Sequence, residues 1–383
     1  MENNRTIYID YLKVIGLLCI ILAHITTDAN ILQIRNFDVP LMVIISGFLA
    51  VDSLKRNLKQ KRPFLRYYWK RIKRLLFPTW IFLIIFFIIM TFFPVNGMYP
   101  YDINFIINSF LLLDGISYVW IIRIFLICAL ITPVIYYFDK IENDYIQFLV
   151  LVLIYILYEI AIALKINEMN IIFEFILAYI IPYGLIYLLG MISTKTSPKA
   201  DSIISAIYLI AFIISGYLIY LSTGIFQPTQ IMKYPPTIYY ISYALFVSFL
   251  LLSIFKRINL KENRFIEFCS KSSLWIYLWH ILFLTIVPIL FGELDWILKY
   301  TIVLICAVGL TYIQNKVLDL LEKKNIKIKV LRGYIPLFLF KVSEALECLL
   351  CRTSLLFIFQ RSFSLHLVDG TFYCQLSCPN DRG

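Results

Sequence analysis

Apolar stretches of about twenty residues recur along this chain, each long enough to cross the hydrocarbon core of a bilayer. Ten such spans run at roughly 6–27, 38–54, 75–93, 117–137, 145–164, 170–193, 203–221, 237–255, 273–292 and 296–320. With 61% hydrophobic and only 15% charged residues, a soluble domain could not cover its apolar surface. The expected fold class is therefore all-α: a polytopic membrane helical bundle with about ten transmembrane helices. The second span is short and the sixth carries Pro182 and Gly184, so a break or tilt is expected there. The first span is too long for a cleavable signal, carries internal charges and has no small-residue cleavage site behind it.

Charge placement orients the bundle. Ten cations from Lys55 to Arg74 lie around the loop between spans two and three, whereas 94–116 holds no Lys or Arg. Lys256, Arg257, Lys261, Arg264 and Lys271 fill another loop, and Lys323, Lys324, Lys327, Lys329 and Arg332 follow the tenth span. The alternate loops hold only Arg35, Lys165 and Lys233. By the positive-inside rule the basic loops and both termini are cytoplasmic. The basic aromatic run Arg62 to Arg74 reads as a helix lying at the inner interface. The stretch Asp102 to Leu113 reads as an outer segment on or dipping into the membrane.

One helical domain, residues 1–333, accounts for all ten spans. The tail, 334–383, differs in character and receives no function. Cys348, Cys351, Cys374 and Cys378 have spacings reminiscent of a zinc site, but no supporting fold is visible between them, and no metal is expected. Cys19, Cys128, Cys269 and Cys306 read as packed thiols. His366 lies in the tail and is discounted.

Chemistry concentrates in the first span. Asp10, Lys13 and His24 share one helical stripe, with Lys13 and His24 roughly 16 Å apart along the axis. Ionisable groups inside a membrane helix mark a functional path by default. His24, toward the outer side, is suited to general-base work. Asp10 and Lys13, toward the cytoplasm, read as an intramembrane pair. His280 follows Tyr277 by one turn and reads equally as a substrate contact, a support for His24 or a packing hydrogen bond. Arg71 and Arg74, with Lys70, suit the phosphates of a cofactor, and headgroup anchoring is the plainer alternative. Arg123, close after Trp120, reads as lining the same cavity. Glu159 and Glu174 read as further buried charges.

In order, the chain presents Asp10-x-x-Lys13, ten residues to His24, Val39-Pro40-Leu41 leading to Ser46-Gly47-Phe48-Leu49, Arg71-x-x-Arg74 before Pro78, the segment around Trp120, and Ser273 to His280. This pattern resembles the acyltransferase 3 family of integral membrane acyltransferases over all ten spans, in its stand-alone form without an SGNH domain. The resemblance implies transfer of an acyl group, acetyl first among the candidates, from acyl-CoA to a hydroxyl of a cell-envelope polysaccharide or glycan. Within it, His24 matches the essential histidine, Lys13 the basic position before it, and Arg71 and Arg74 the cytoplasmic arginine pair. Lys13 stands where many members have arginine. The implied setting is a bacterial plasma membrane, with lipids, acyl-CoA and a glycan as partners and no nucleic acid. The expected site is thus His24, Lys13 and Asp10 for catalysis, Arg71, Arg74 and Lys70 for the donor, and His280, Tyr277, Trp120 and Arg123 for the acceptor. A transporter or flippase of envelope intermediates is the competing expectation, and the lack of an internal repeat weighs against it.

Overall fold

A computed structural model describes residues 7–58, 63–93, 100–138 and 144–323, with two short segments at 366–368 and 371–373. The helices in order are α1 (Ile7–Ala23), α2 (Ala29–Ile34), α3 (Asp38–Leu58), α4 (Pro63–Met90), α5 (Ile103–Phe110), α6 (Trp120–Phe138), α7 (Asp144–Ala163), α8 (Ile171–Phe175), α9 (Ile181–Ile192), α10 (Pro198–Thr223), α11 (Ile238–Arg257), α12 (Arg264–Lys271), α13 (Ser273–Phe291) and α14 (Trp296–Lys323). Local chemistry sets several boundaries. The Asp28 carboxylate accepts from the backbone N–H groups of Asn30 and Ile31 and starts α2, and Asn263 does the same for α12. Ser197 caps α10 with Pro198 in its first turn, and Gly224, at φ 75°, ends it.

Helical segments stand at each of the ten expected positions. Among the described residues, eight are long and apolar enough to cross a membrane. The other two are α1, with 17 residues, at the lower limit of a spanning helix, and α7, whose apolar part is Leu149–Ala163. The protein is a multi-pass membrane protein. Its lipid-facing surface shows as exposed apolar side chains, such as Leu153, Ile156 and Leu157 on α7 and Ile207, Ile210 and Ile214 on α10. In water such faces would be liabilities; in a bilayer they are the solvated surface.

The central helix is α3, which packs against α1, α4, α6, α9 and α11. Its closest neighbour is α9, and glycine makes the approach possible. A Cβ on Gly47 would stand 2.1 Å from the Tyr187 carbonyl oxygen, and one on Gly190 would stand 2.1 Å from the Ile44 carbonyl oxygen. Small residues let membrane helices meet backbone to backbone, where dispersion contacts replace the missing hydrophobic drive. The sixth span is interrupted, as Pro182 and Gly184 suggest. A π-helical turn, Ile176–Ile180, separates α8 from α9.

Two expectations are corrected. Arg62 to Arg74 does not make a separate interfacial helix: from Pro63 the run is continuous with the third span in α4, whose 28 residues extend about 42 Å. That exceeds the hydrocarbon thickness, so the basic turns can project beyond it as part of the same helix. Glu174 is exposed rather than buried, because it falls in the short α8 at the very start of the sixth span.

The chain divides into two units, Met1–Asn315 and Lys316–Gly383. Described in the second are the last turns of α14 and an antiparallel pair, β1 (His366–Val368) and β2 (Thr371–Tyr373). The expected boundary near 333 and the four tail cysteines lie outside the described residues.

Candidate active site

Two imidazoles meet where α1 ends. His24 Nδ1 lies 2.9 Å from His280 Nε2, and the rings stack with centroids 5.2 Å apart. His280, 0% exposed, sits on α13, and its Nδ1 is hydrogen-bonded to the Tyr277 carbonyl oxygen. A carbonyl only accepts, so in the neutral ring Nδ1 of His280 carries the proton and Nε2 carries the lone pair. His24 Nδ1 must then be the donor. The remaining nitrogen of His24, Nε2, is left with a free lone pair. A backbone oxygen thus selects the tautomer of the second ring, and the second ring selects that of the first.

Helix α13 is firmly held at this depth. Trp279 Nε1 donates to Gln314 Oε1 at 2.7 Å and its ring packs edge-on against Phe82. The Tyr277 hydroxyl donates to the Tyr118 carbonyl, and the Tyr118 ring lies 4.5 Å from that of His24. His24 is therefore fixed from two sides while it faces a cavity.

That cavity measures about 520 Å³, within the usual range for small-molecule sites. His24, Tyr118, Trp120, Arg123, Tyr179 and Tyr277 contribute to its wall, as do Arg35 and Asp38 from the α2–α3 corner and Lys233 from the α10–α11 connection. Arg35 pairs with Asp38 at 2.9 Å, both buried. The other Asp38 oxygen accepts from the Val39 N–H at 2.7 Å. Lys233, 3% exposed, lies over the rings of Trp120, Tyr234 and Tyr240 at 5.5–5.9 Å. Arg123 lies 4.4 Å over Tyr179, which the π-helical turn carries. Single-turn π segments recur at functional sites, where they re-aim a side chain. The loop that holds Lys233 is pinned to the α2–α3 corner: Asn36 Nδ2 donates to Thr229 Oγ1 at 2.8 Å, and the Thr229 N–H to Gln33 Oε1 at 2.9 Å.

Of the residues expected from sequence, His24, Tyr277, Trp120 and Arg123 line this cavity, with His280 directly behind His24. Asp10 and Lys13 lie toward the other end of α1 and converge on one residue of α12. The Ser270 hydroxyl donates to Asp10 Oδ1, and Lys13 Nζ donates to the Ser270 carbonyl at 2.5 Å. Arg71, Arg74 and Lys70 stand in the first turns of α4, away from the cavity wall. Arg71 stacks over Tyr67 at 5.1 Å, and Lys70 donates to Asn57 Oδ1 at 2.8 Å. Glu159 accepts from Tyr155 on its own helix at 2.9 Å and does not line the cavity.

Sequence reasoning missed Arg35, Asp38, Lys233 and Tyr179 as site residues. A signal for two of them was available. Cations are scarce on the outer loops, and Arg35 and Lys233 are two of the three found there. The third, Lys165, is exposed at an open 3.7 Å pair with Glu168.

A family model described as an acyltransferase domain matches residues 6–314. Comparison with curated proteins and with solved structures finds no match.

Proposed function

Because the chain belongs to this acyltransferase family, its model covering nearly the whole first unit, we propose that the protein is a membrane O-acyltransferase that uses His24 as general base. The donor is acyl-CoA, acetyl-CoA first, supplied from the cytoplasmic side. The acceptor is a hydroxyl of a cell-envelope glycan entering the cavity beside His24. The single observation that carries this is the ordered hydrogen-bond series from the Tyr277 carbonyl through His280 to His24, which leaves an unprotonated nitrogen on a ring that lines a cavity.

The chemistry follows from that arrangement. His24 Nε2 takes the proton from the acceptor hydroxyl as its oxygen attacks the thioester carbonyl. The new C–O bond forms, the C–S bond breaks, and the departing thiolate receives the proton from His24. The products are an ester and free coenzyme A. His280 is a positioning residue: it holds His24 in the useful tautomer and stabilises the imidazolium by accepting from Nδ1, as the buried carboxylate does in a serine-hydrolase triad.

Arg71 and Arg74, with Lys70, hold the donor phosphates in this scheme; a guanidinium fork matches phosphate oxygens bidentately. Lys13 and Asp10 fix Ser270 and so the joint between α12 and α13, the helix that bears His280. Lys13 and Asp10 therefore act on the reaction through position. Purified protein in nanodiscs, given acetyl-CoA and a glycan acceptor, should release free thiol. A well-folded His24→Ala protein should be slower by about 10²- to 10⁴-fold. Release at the parental rate from that variant would refute His24 as the base.

A further inference from the structure

The part of the cavity beyond His24 has more positive charge than its own carboxylates can balance. Arg35, Arg123 and Lys233 line it, and among the described residues the only buried acid on the wall is Asp38, already engaged by Arg35 and by a backbone N–H. Asp114, the other acid on the wall, is exposed. Among the described residues neither Lys233 nor Arg123 has a carboxylate partner; both rest on aromatic faces. The Nε groups of Arg35 and Arg123 are buried and lack any hydrogen-bond acceptor. A buried donor left unpaired is destabilising, and more so when it is charged. Three cations gathered in one partly dehydrated cleft, with donors to spare, are what a bound anion would satisfy.

Position narrows the anion's source. Arg35 and Lys233 come from the loops that carry few cations, on the outer side by the charge rule, where the acceptor enters, and Arg123 from the first turn of α6 beside them. The donor's phosphates belong with the basic turns of α4. Trp120, Tyr118, Tyr179 and Tyr234 add aromatic faces suited to the apolar face of a sugar ring. Resting on the acyltransferase reading for its acceptor, we infer that this cleft recognises a carboxylate or phosphate group carried by the acceptor glycan itself, with Lys233 and Arg123 as its charge partners. The preferred acceptor is thus an acidic glycan. The reacting hydroxyl is presented to His24 by anchoring the acid group a short distance away.

The test uses the full chain in phosphatidylcholine nanodiscs and follows binding, so that it does not depend on turnover. Methyl glucuronide and methyl glucoside differ only in the acid group. The glucuronide should bind at least about 10-fold more tightly, the scale of one charge-assisted hydrogen bond. Lys233→Met and Arg123→Gln should each remove most of that preference, and Lys233→Arg should restore it. Equal affinities for the two sugars, or a preference that survives both neutral substitutions, would overturn the inference. If Lys233→Met weakens binding of coenzyme A by the same factor, the anion seated there is the donor's phosphate, and the inference also falls. Thiol release from acetyl-CoA is followed separately. A wild-type protein that prefers the glucuronide yet releases no thiol keeps the anion site and loses the acyltransferase reading.

Discussion

Replacing His280 probes the tautomer series without touching the base. In His280→Ala the acceptor 2.9 Å from His24 Nδ1 disappears, and the half-buried imidazole of His24 is free to place its proton on either nitrogen. An unpaired buried donor costs about 1–3 kcal/mol, and the same energy no longer favours the tautomer with a free Nε2. At about 1.4 kcal/mol per decade the expected loss of rate is about 5- to 140-fold, reaching only the low end of the loss from removing the base itself. A glutamine at 280 offers a carbonyl oxygen near the lost Nε2, so His280→Gln should recover part of the loss. The decisive measurement is a double-mutant cycle on thiol release from acetyl-CoA, with folding checked by thermal unfolding. Since His280 acts only through His24, the double alanine variant should be no slower than His24→Ala. If the two losses multiply instead, or if His280→Ala is as fast as the parent, the relay is not how this site works.

Four further outcomes are expected. Arg71→Ala should raise the KM for acetyl-CoA about 10-fold or more with little change in kcat, as seen in initial-rate kinetics; an unchanged KM would remove the phosphate role. Lys13→Met should lower kcat without altering donor KM, and Lys13→Arg should recover it, because the contact at stake is a donor to the Ser270 carbonyl. Gly47→Ala should lower the thermal midpoint in a given detergent, by about 1–3 kcal/mol of overpacking, since its new methyl meets the Tyr187 carbonyl; equal stability would mean the helices can separate at no cost. Burial pushes the Lys233 ammonium down to about 8, opposed by the charge of Asp38 and aided by that of Arg35. It is charged below that pH and neutral above it, so glucuronide affinity should fall from pH 7 to pH 9 while Lys233→Arg holds its affinity. Between about pH 8 and 10.5 the folded protein has released a proton that the unfolded chain keeps, so Lys233 favours folding more as pH rises there.

The bundle was legible in the sequence because bilayer thickness imposes one length on every span, and hydropathy reads that length directly. The irregular sixth span was also visible, through Pro182 and Gly184. What periodicity could not supply was the partner of each polar group. Asp10 and Lys13 on α1 and His24 just past its end share a stripe, yet the stripe serves two places: Ser270 for the first two and His280 for the third. One helix face can touch different neighbours at its two ends, and only tertiary packing decides which. The basic run before the third span misled for a related reason. Its composition suits an interfacial helix, but composition does not reveal whether a helix bends where the charges stop, and α4 does not stop there. Arg35 and Lys233 carried information in their rarity on the outer loops, which a tally made for topology passed over.

The orientation of the base rests, in the end, on a main-chain oxygen of α13. A peptide carbonyl is present whatever residue occupies position 277, so amino-acid drift there cannot erase it. Phenylalanine at that position would sever the phenol's tie to the Tyr118 segment and still leave the imidazole pair facing the same way. The polarity of proton transfer is therefore inherited from helix geometry, and only a change in where α13 winds could reverse it.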